Sequence, residues 1–452
     1  MVEGGKTFMI RFARVVLLAL ILAVLMSLMP SKAAQAQLED SVPTAELDPT
    51  FAVEWMDLLY QRIMAESYNP PSAARLYGYA GVTLYEAVVW GIPTNRSLVG
   101  QLNGLNDLPY PDDGIYDWTT VANAALNTTL NGLMFEAGSE THDAFNAFYA
   151  EQIAKSETEI DEDVLNRSIQ YGQELGKGIL AWADTDNYRE TRDLEYEIPT
   201  GSPDLWIATN PDLPPVEPFW GEIRTFALDY TDVCDVPLDM PFSDDPESTF
   251  YQQSLEVMNT GDDLDREQRD IAEYWLDNLG ETGTPAGHWL LIENQMVDHL
   301  DLTLDVAAQM YGMTNMAMAD AFTSCWGLKY RVLLLRPETY IQEYISPRWR
   351  PYITTPMFPE YPSGHSVVSG AAAEMLTTLF GQVAFTDTAK VQFGMAPRSY
   401  TSFDAAATEA AISRLYGGIH YRTAIENGVD MGECVTNHLL DRIIMNQITQ
   451  GE

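Results

Sequence analysis

Basic residues are scarce in this chain. It has 25 Lys and Arg against 66 Asp and Glu, for a formal charge of −41. A surface of that sign repels nucleic acid and anionic membranes, so neither is an expected partner. Cysteine is nearly absent: Cys234, Cys325 and Cys434 are odd in number, so at most one internal disulfide can form, and no CxxC or Cys/His metal spacing occurs. Gly/Ser-rich and Pro-rich linkers are missing, as are internal repeats, which leaves one continuous domain over residues 37–452 as the expectation. Beyond residue 36 no apolar run is long enough to cross a bilayer, so no membrane insertion is expected.

What is present begins with a leader. Lys6, Arg11 and Arg14 precede an apolar run from Val15 to Met29, and Ala34-Gln35-Ala36 supplies a small-x-small cleavage pattern before Gln37. The run is about 15 residues, shorter than the roughly 20 of a spanning helix. Residues 1–36 are therefore expected to be a cleaved signal peptide, and the protein to be exported to the periplasm or the medium. Lys6, Arg11, Arg14 and Lys32 against Glu3 put a net +3 in that segment, so the remainder carries about −44. Self-repulsion of that size is tolerable where salt screens it. The lysines left are Lys155, Lys177, Lys329 and Lys390. Against this background Lys329, Arg331 and Arg336 in one short stretch are a local reversal of sign, and a place to hold an anion.

Apolar residues recur at helical spacing in Val53, Met56, Leu59 and Ile63, then in Leu76, Tyr79, Val82, Leu84 and Val88, with Pro70-Pro71 between. Further helices are expected near 118–136, 140–155, 161–184, 247–260, 266–279, 287–312 and 315–335. Asp265 with Gln268 predicts a capping box for the helix carrying Trp275 and Asp277; Thr401 with Asp404 predicts one for the Ala-rich helix that ends at Gly417-Gly418. Strand signals are few. The expected class is all-α, two packed helical bundles, with residues 325–430 carrying the site. Residues 187–246, rich in Pro, Asp, Gly and aromatics, read as a long irregular excursion over the surface. Its Asp229, Asp232, Asp235, Asp239, Asp244 and Asp245 lack the ordered spacing of a calcium loop.

Three short segments carry the chemistry. They are Lys329 with Arg336-Pro337, an unbroken Pro362-Ser363-Gly364-His365, and Ser413-Arg414 with His420, all within 92 residues. A tetrahedral oxyanion is held against water only by several fixed donors, and Arg and Lys are the expected ones. Lys329 and Arg336, seven apart, are expected on one face of a single helix that Pro337 ends. The apolar run from Val367 through Ala371 and Leu376 to Gly381 puts Ser363 and Gly364 at the mouth of a buried helix, where free N–H groups and the dipole favour an anion. Gly364 would let the backbone approach it closely. Taken singly, Ser363 is also an ordinary helix cap, Lys329 and Arg336 a solvated face, and Trp326 and Phe358 core packing.

Together the three segments resemble the signature shared by vanadium-dependent haloperoxidases and type 2 phosphatidic acid phosphatases. Asn69-Pro70-Pro71 before Ala73-Ala74-Arg75, and Tyr274-Trp275 before Thr284-Pro285-Ala286-Gly287-His288-Trp289, are also similar to bacterial haloperoxidases. The resemblance implies a haloperoxidase-like helical fold with vanadate as cofactor and hydrogen peroxide and halide as partners. By it, His420 is the vanadium ligand, or the nucleophile of a phosphatase, and His365 is the acid/base. Lys329, Arg336, Ser363, Gly364 and Arg414 hold the oxyanion, Trp326 and Phe358 line the halide pocket, and Asp277 is the buried partner of Arg414. Two positions depart from the pattern. Where the family has Asp four residues after the third-segment histidine this chain has Ala424, so His420 has to be oriented otherwise, by Glu426 or a backbone carbonyl. Ser366 stands where chloride-oxidising relatives tend to have Ala, which points to iodide or bromide. His142, His288, His299 and His438 are read as structural.

The lack of spanning helices argues against a lipid phosphatase, and the long stretch before Lys329 against the shorter soluble acid phosphatases. Halide oxidation is the favoured reading. An exported acid phosphatase with a phosphohistidine intermediate is second, and a non-catalytic phosphate-binding protein third. The sequence leaves halide preference, organic acceptor and self-association into a homo-oligomer open.

Overall fold

Helix starts in this chain are set by side chains beside the first turn. Asn69 accepts from the Ser72 N–H at 3.0 Å, with Pro70 and Pro71 in the first helical positions, where a missing N–H costs nothing. Asp117 and Ser248 cap in the same way, and Asp265 with Gln268 closes both halves of a capping box. The structure is a computed structural model that describes residues 38, 40–92 and 96–444. The expected leader, residues 1–36, lies outside the described residues.

Apart from the single turn Tyr188–Thr191 and short 3-10 turns, the helices of the described residues are α1 (Thr50–Ala65), α2 (Pro70–Val88), α3 (Trp118–Leu133), α4 (Ser139–Ser156), α5 (Glu162–Ala183), α6 (Thr249–Asp262), α7 (Arg266–Tyr274), α8 (Thr284–His299), α9 (Leu304–Val332), α10 (Pro337–Tyr344), α11 (Gly364–Phe380), α12 (Phe403–Tyr416) and α13 (Arg422–Arg442). β1 (Phe385–Asp387) and β2 (Arg398–Tyr400) pair antiparallel, Phe385 opposite Tyr400. The fold is all-α. In one bundle α2 and α3 pack together and α3 lies on α5; in the other α11 packs on α9, α12 and α13, and the long α9 also lies against α2. Buried side chains from Phe51 to Ile443 form one hydrophobic cluster running through both bundles.

Two glycines set how closely these helices cross. A Cβ on Gly81 of α2 would lie 2.4 Å from the Tyr311 carbonyl oxygen of α9, and one on Gly432 of α13 would lie 2.1 Å from the Val367 carbonyl oxygen of α11. No side chain fits at either distance, so glycine there lets the backbones touch. The second crossing seats the start of α11 against α13, and the Ser363 N–H donates to the Ala424 carbonyl at 3.0 Å.

Several local expectations are corrected. Lys329 and Arg336 are not on one helix: α9 ends at Val332, Leu333 is left-handed with φ 54°, and Arg336 is the extended residue before α10. Pro337 starts α10 instead of ending α9, because a residue before proline is pushed out of helical space and proline suits the first helical position. The stretches 287–312 and 315–335 divide at residues 300–303 instead, giving α8 and α9. α7 stops at Tyr274, so Trp275 caps it and Asp277 lies beyond. The cap of α12 is Ser402, accepting from the Ala405 N–H at 3.1 Å, and not Thr401.

The excursion over residues 187–246 is irregular but not superficial. Trp206, Trp220, Phe226 and Leu228 are buried, and buried Asp320 of α9 accepts from the N–H groups of Phe226, Ala227 and Leu228 at 2.6–3.1 Å. A Cys234–Cys434 disulfide ties the segment to α13, and Cys325 is the free thiol. Pro, Asp and Gly set the segment's irregular backbone, while its aromatics bury it.

Candidate active site

His420 follows the Gly417-Gly418 end of α12, and its ring is fixed at both nitrogens. Nδ1 donates to Glu360 Oε1 at 2.8 Å, and the Tyr421 N–H donates to the same oxygen at 2.9 Å. Arg336 Nη1 donates to His420 Nε2 at 3.1 Å. With an acceptor at Nδ1 and a donor at Nε2, the partners assign the proton to Nδ1 and the lone pair to Nε2. Burial, with the charges of Arg336, Lys329 and Arg414 acting in the same direction, holds this imidazole well below its usual pKa, so it is neutral. A neutral imidazole with an oriented lone pair is a ligand or a nucleophile.

Three buried cations surround it. Arg336, with none of its surface exposed, gives Nε to the Phe358 carbonyl at 3.0 Å and Nη1 to the Ile419 carbonyl at 2.9 Å, while Nη2 has no partner. Lys329, equally buried, donates to the carbonyls of Pro359 at 3.1 Å, Glu360 at 2.8 Å and Pro362. Its three protons therefore brace the turn leading into α11, and its charge acts through space. Arg414 donates from Nε to Ser413 Oγ at 2.8 Å and from Nη2 to the Ala272 carbonyl at 3.2 Å. Burial pushes Lys329 down to about 7 and Arg336 and Arg414 each down to about 10. Cations depressed in this way are short of negative charge. The adjacent acid, Glu360, does not supply it fully, because burial raises its own pKa to about 7.

Ser363 caps α11. Its Oγ accepts from the Ser366 N–H at 3.4 Å and from the Ser366 hydroxyl at 2.9 Å, which leaves its own proton to give away. A Cβ on Gly364 would come within 3.2 Å of the Trp326 ring, so packing against that indole accounts for this glycine directly. His365 begins α11 with its side chain 19% exposed; burial, with Arg414 adding, holds it well below its usual pKa, and its Nε2 has no partner. Trp326 and Phe358 lie 4.9 Å apart, the Phe358 ring 5.2 Å from Lys329 Nζ and 4.9 Å from Arg336 Cζ. These aromatics thus form a wall beside the cations.

Two buried polar atoms lack partners beside His420: Arg336 Nη2 and Glu360 Oε2. Buried polar atoms are rarely left so. Together with cations short of a counterion and one oriented imidazole lone pair, they fit a small oxyanion bonded through His420 Nε2.

Residues 309–447 match the family described as VCPO second helical-bundle domain. The chain superposes on a crystal structure described as the first bacterial vanadium-dependent iodoperoxidase, with a TM-score of 0.83 and 34% identity over 89% of this chain and 98% of that one. The chain belongs to the vanadium-dependent haloperoxidases. A bacterial vanadium-dependent chloroperoxidase in its holo form shares the fold at TM-score 0.63 and 13% identity, covering 84% of this chain and 93% of that one. No curated protein matches the chain.

In this chain the structure brings Lys329, Arg336, Ser363, Gly364 and His420 together, with Trp326 and Phe358 beside them and the charge of Arg414 felt by both His365 and His420. It does not bring Arg331 in: that guanidinium turns outward to Asp235 at 2.6 Å. The orienting group for His420 is Glu360, not Glu426, which pairs with Arg422 at 3.5 Å on the surface. Asp277 makes no hydrogen bond to Arg414, but its charge acts on that guanidinium against the effect of burial. It binds Lys390 and His288 and faces His365. In a chain with 66 carboxylates a single Glu carries no mark of its own; the available signal for Glu360 was its place in an apolar, proline-flanked stretch, Phe358-Pro359-Glu360-Tyr361-Pro362.

Proposed function

We propose that this chain is an exported, vanadate-dependent peroxidase that oxidises iodide or bromide with hydrogen peroxide to hypohalous acid. The observation that carries the reading is the fixed tautomer of His420, with Glu360 on Nδ1 and the Nε2 lone pair among buried cations. His420 would bond the vanadium, while Arg336, Arg414, Ser363 and the N–H groups at the start of α11 would hold the oxygens, with Lys329 contributing charge. Bound vanadate would supply a Lewis-acidic centre, at its highest oxidation state throughout, that activates peroxide for attack by halide.

The chain's residues do the rest. Neutral His365, at the more open side of the site, would take a proton from peroxide and return it. The buried cations would draw negative charge from an oxyanion held among them. Trp326 and Phe358 offer an apolar wall, suited to a large, weakly hydrated halide that loses little on desolvation. Support for iodide comes from the relative described as an iodoperoxidase and from Ser366 after His365.

Purified protein incubated with orthovanadate, peroxide and iodide or bromide, in parallel with p-nitrophenyl phosphate, tests this. Vanadate-dependent halide oxidation that disappears in His420→Ala is the expected result. Phosphate ester hydrolysis inhibited by vanadate, without halide oxidation, would replace this reading with the phosphatase.

A further inference from the structure

Behind His365 lies a charged cluster drawn from three separate stretches of chain. Asp277 follows α7, His288 sits in α8, and Asp387 and Lys390 come from the end of β1 and the turn after it. All four are buried. Lys390 Nζ donates to Asp277 Oδ1 at 2.6 Å and to the Leu276 carbonyl at 3.0 Å. His288 faces a carboxylate at each ring nitrogen, Asp277 Oδ2 at 3.2 Å from Nδ1 and Asp387 Oδ2 at 2.8 Å from Nε2.

A neutral imidazole has one N–H and one lone pair, and a lone pair aimed at a carboxylate is repelled. Two carboxylates therefore require the doubly protonated ring. Burial alone would lower its pKa, but Asp277 and Asp387 outweigh burial and raise it to about 9. The Trp275 indole stacks on the same ring at 4.2 Å and 17°. The Ala389 N–H at 2.8 Å on Oδ1 fixes Asp387 in turn.

Two cations thus hold one carboxylate. Asp277 Oδ1 goes to Lys390, and Oδ2, shared with His288, lies 4.0 Å from His365 Nε2. That is beyond a hydrogen bond, but such contacts in ligand-free sites commonly tighten on binding. Two acids and two cations sum to zero, so the cluster imposes a direction without diluting the positive field at the anion site. Arg414 makes no carboxylate hydrogen bond, although the charge of Asp277 acts on its guanidinium.

We propose that His288, Asp387 and Lys390 are positioning residues for His365: they clamp Asp277 so that its Oδ2 keeps a proton on His365 Nε2 and leaves Nδ1 as the proton-accepting atom. The assignment rests on the acid/base role of His365 proposed above, and its first test does not depend on turnover. In protein without vanadate, labelled with 15N-histidine and assigned by single substitutions among the six histidines, the ring of His288 should read as imidazolium at pH 7.5 and His365 as the Nε2–H tautomer. A neutral His288, or His365 protonated on Nδ1, would overturn the proposal.

The second test is kinetic. Lys390→Met and Asp387→Asn should lower kcat at least tenfold while vanadate affinity, measured calorimetrically, changes less than threefold. Lys390→Arg should restore at least a third of the activity. Loss of affinity in proportion to kcat, or no change in either, would make the cluster plain scaffolding. If a variant does not fold, the wild-type spectrum decides. If the wild type oxidises no halide, the functional reading fails while the spectrum still tests the clamp.

Discussion

Replacing Glu360 separates its role as an orienting acceptor from its charge. Its Oε1 accepts from His420 Nδ1 at 2.8 Å and from the Tyr421 N–H at 2.9 Å. Burial raises its pKa to about 7, so at pH 6 it is mostly the neutral acid. Glutamine keeps an acceptor oxygen in the same place and is likewise neutral, so Glu360→Gln at pH 6 should bind vanadate within about threefold of wild type, under 1 kcal/mol. Alanine removes the acceptor, and losing a group that orients a metal-binding histidine costs about 10–100-fold in affinity. It also strands two buried donors, which costs about 2–4 kcal/mol of stability. An unfolding entropy near 2.1 cal/mol/K per residue, over 452 residues, makes one degree worth about 1 kcal/mol, so Tm should fall by about 2–4 °C. Calorimetric titration with orthovanadate and thermal melts at pH 6 measure both. Equal affinity in Ala and Gln variants would refute the idea that Glu360 orients His420.

The raised pKa of Glu360 gives a second prediction. Its folded value lies above the unfolded one, so the native state binds more protons between about 4.5 and 7, and this stability contribution is present at acid pH and lost as pH rises through about 7. Melts of Glu360→Gln from pH 4 to 8 should lack that decline, and an unchanged profile would count against it. Orthovanadate at a hundredfold its Kd should stabilise the protein by about 2.7 kcal/mol, a rise of roughly 3 °C in Tm, which His420→Ala should abolish if the anion is bound there. Ser366→Ala frees the Ser363 hydroxyl from one of its donors and should weaken vanadate binding about 2–12-fold, the worth of one net hydrogen bond, by the same titration. Cys434→Ser opens a disulfide whose partners lie 200 apart in sequence; chain entropy sets its worth at up to about 5 kcal/mol, so Tm should drop under non-reducing conditions while vanadate affinity holds.

The parts legible in the sequence were local ones. The start of α11 at Ser363 and its stop at Gly381 follow from capping chemistry and an apolar run, and the Asp265–Gln268 box follows from two residues three apart. The candidate residues Lys329, Arg336, His365, Arg414 and His420 were singled out by the resemblance of three spaced segments to a known signature. Geometry between them was not legible. Leu333 turns left-handed after α9, so Arg336 reaches His420 from an extended stretch and not from a helix face. The Glu360–His420 contact joins residues 60 apart and the His288–Asp387 contact residues 99 apart. Such pairs are made by packing, and in so acidic a chain composition singles out neither carboxylate. The excursion misled for a related reason: Pro, Asp and Gly report an irregular backbone, while its burial depends on Asp320 and α9.

The most direct measurement is a crystal soaked in orthovanadate, with data collected for vanadium anomalous scattering. A single anomalous peak bonded to His420 Nε2, with Arg336 Nη2, Arg414 and Ser363 turned onto its oxygens, is the predicted result. A peak elsewhere, or anion held by the cations with His420 Nε2 still bonded to Arg336, would contradict it.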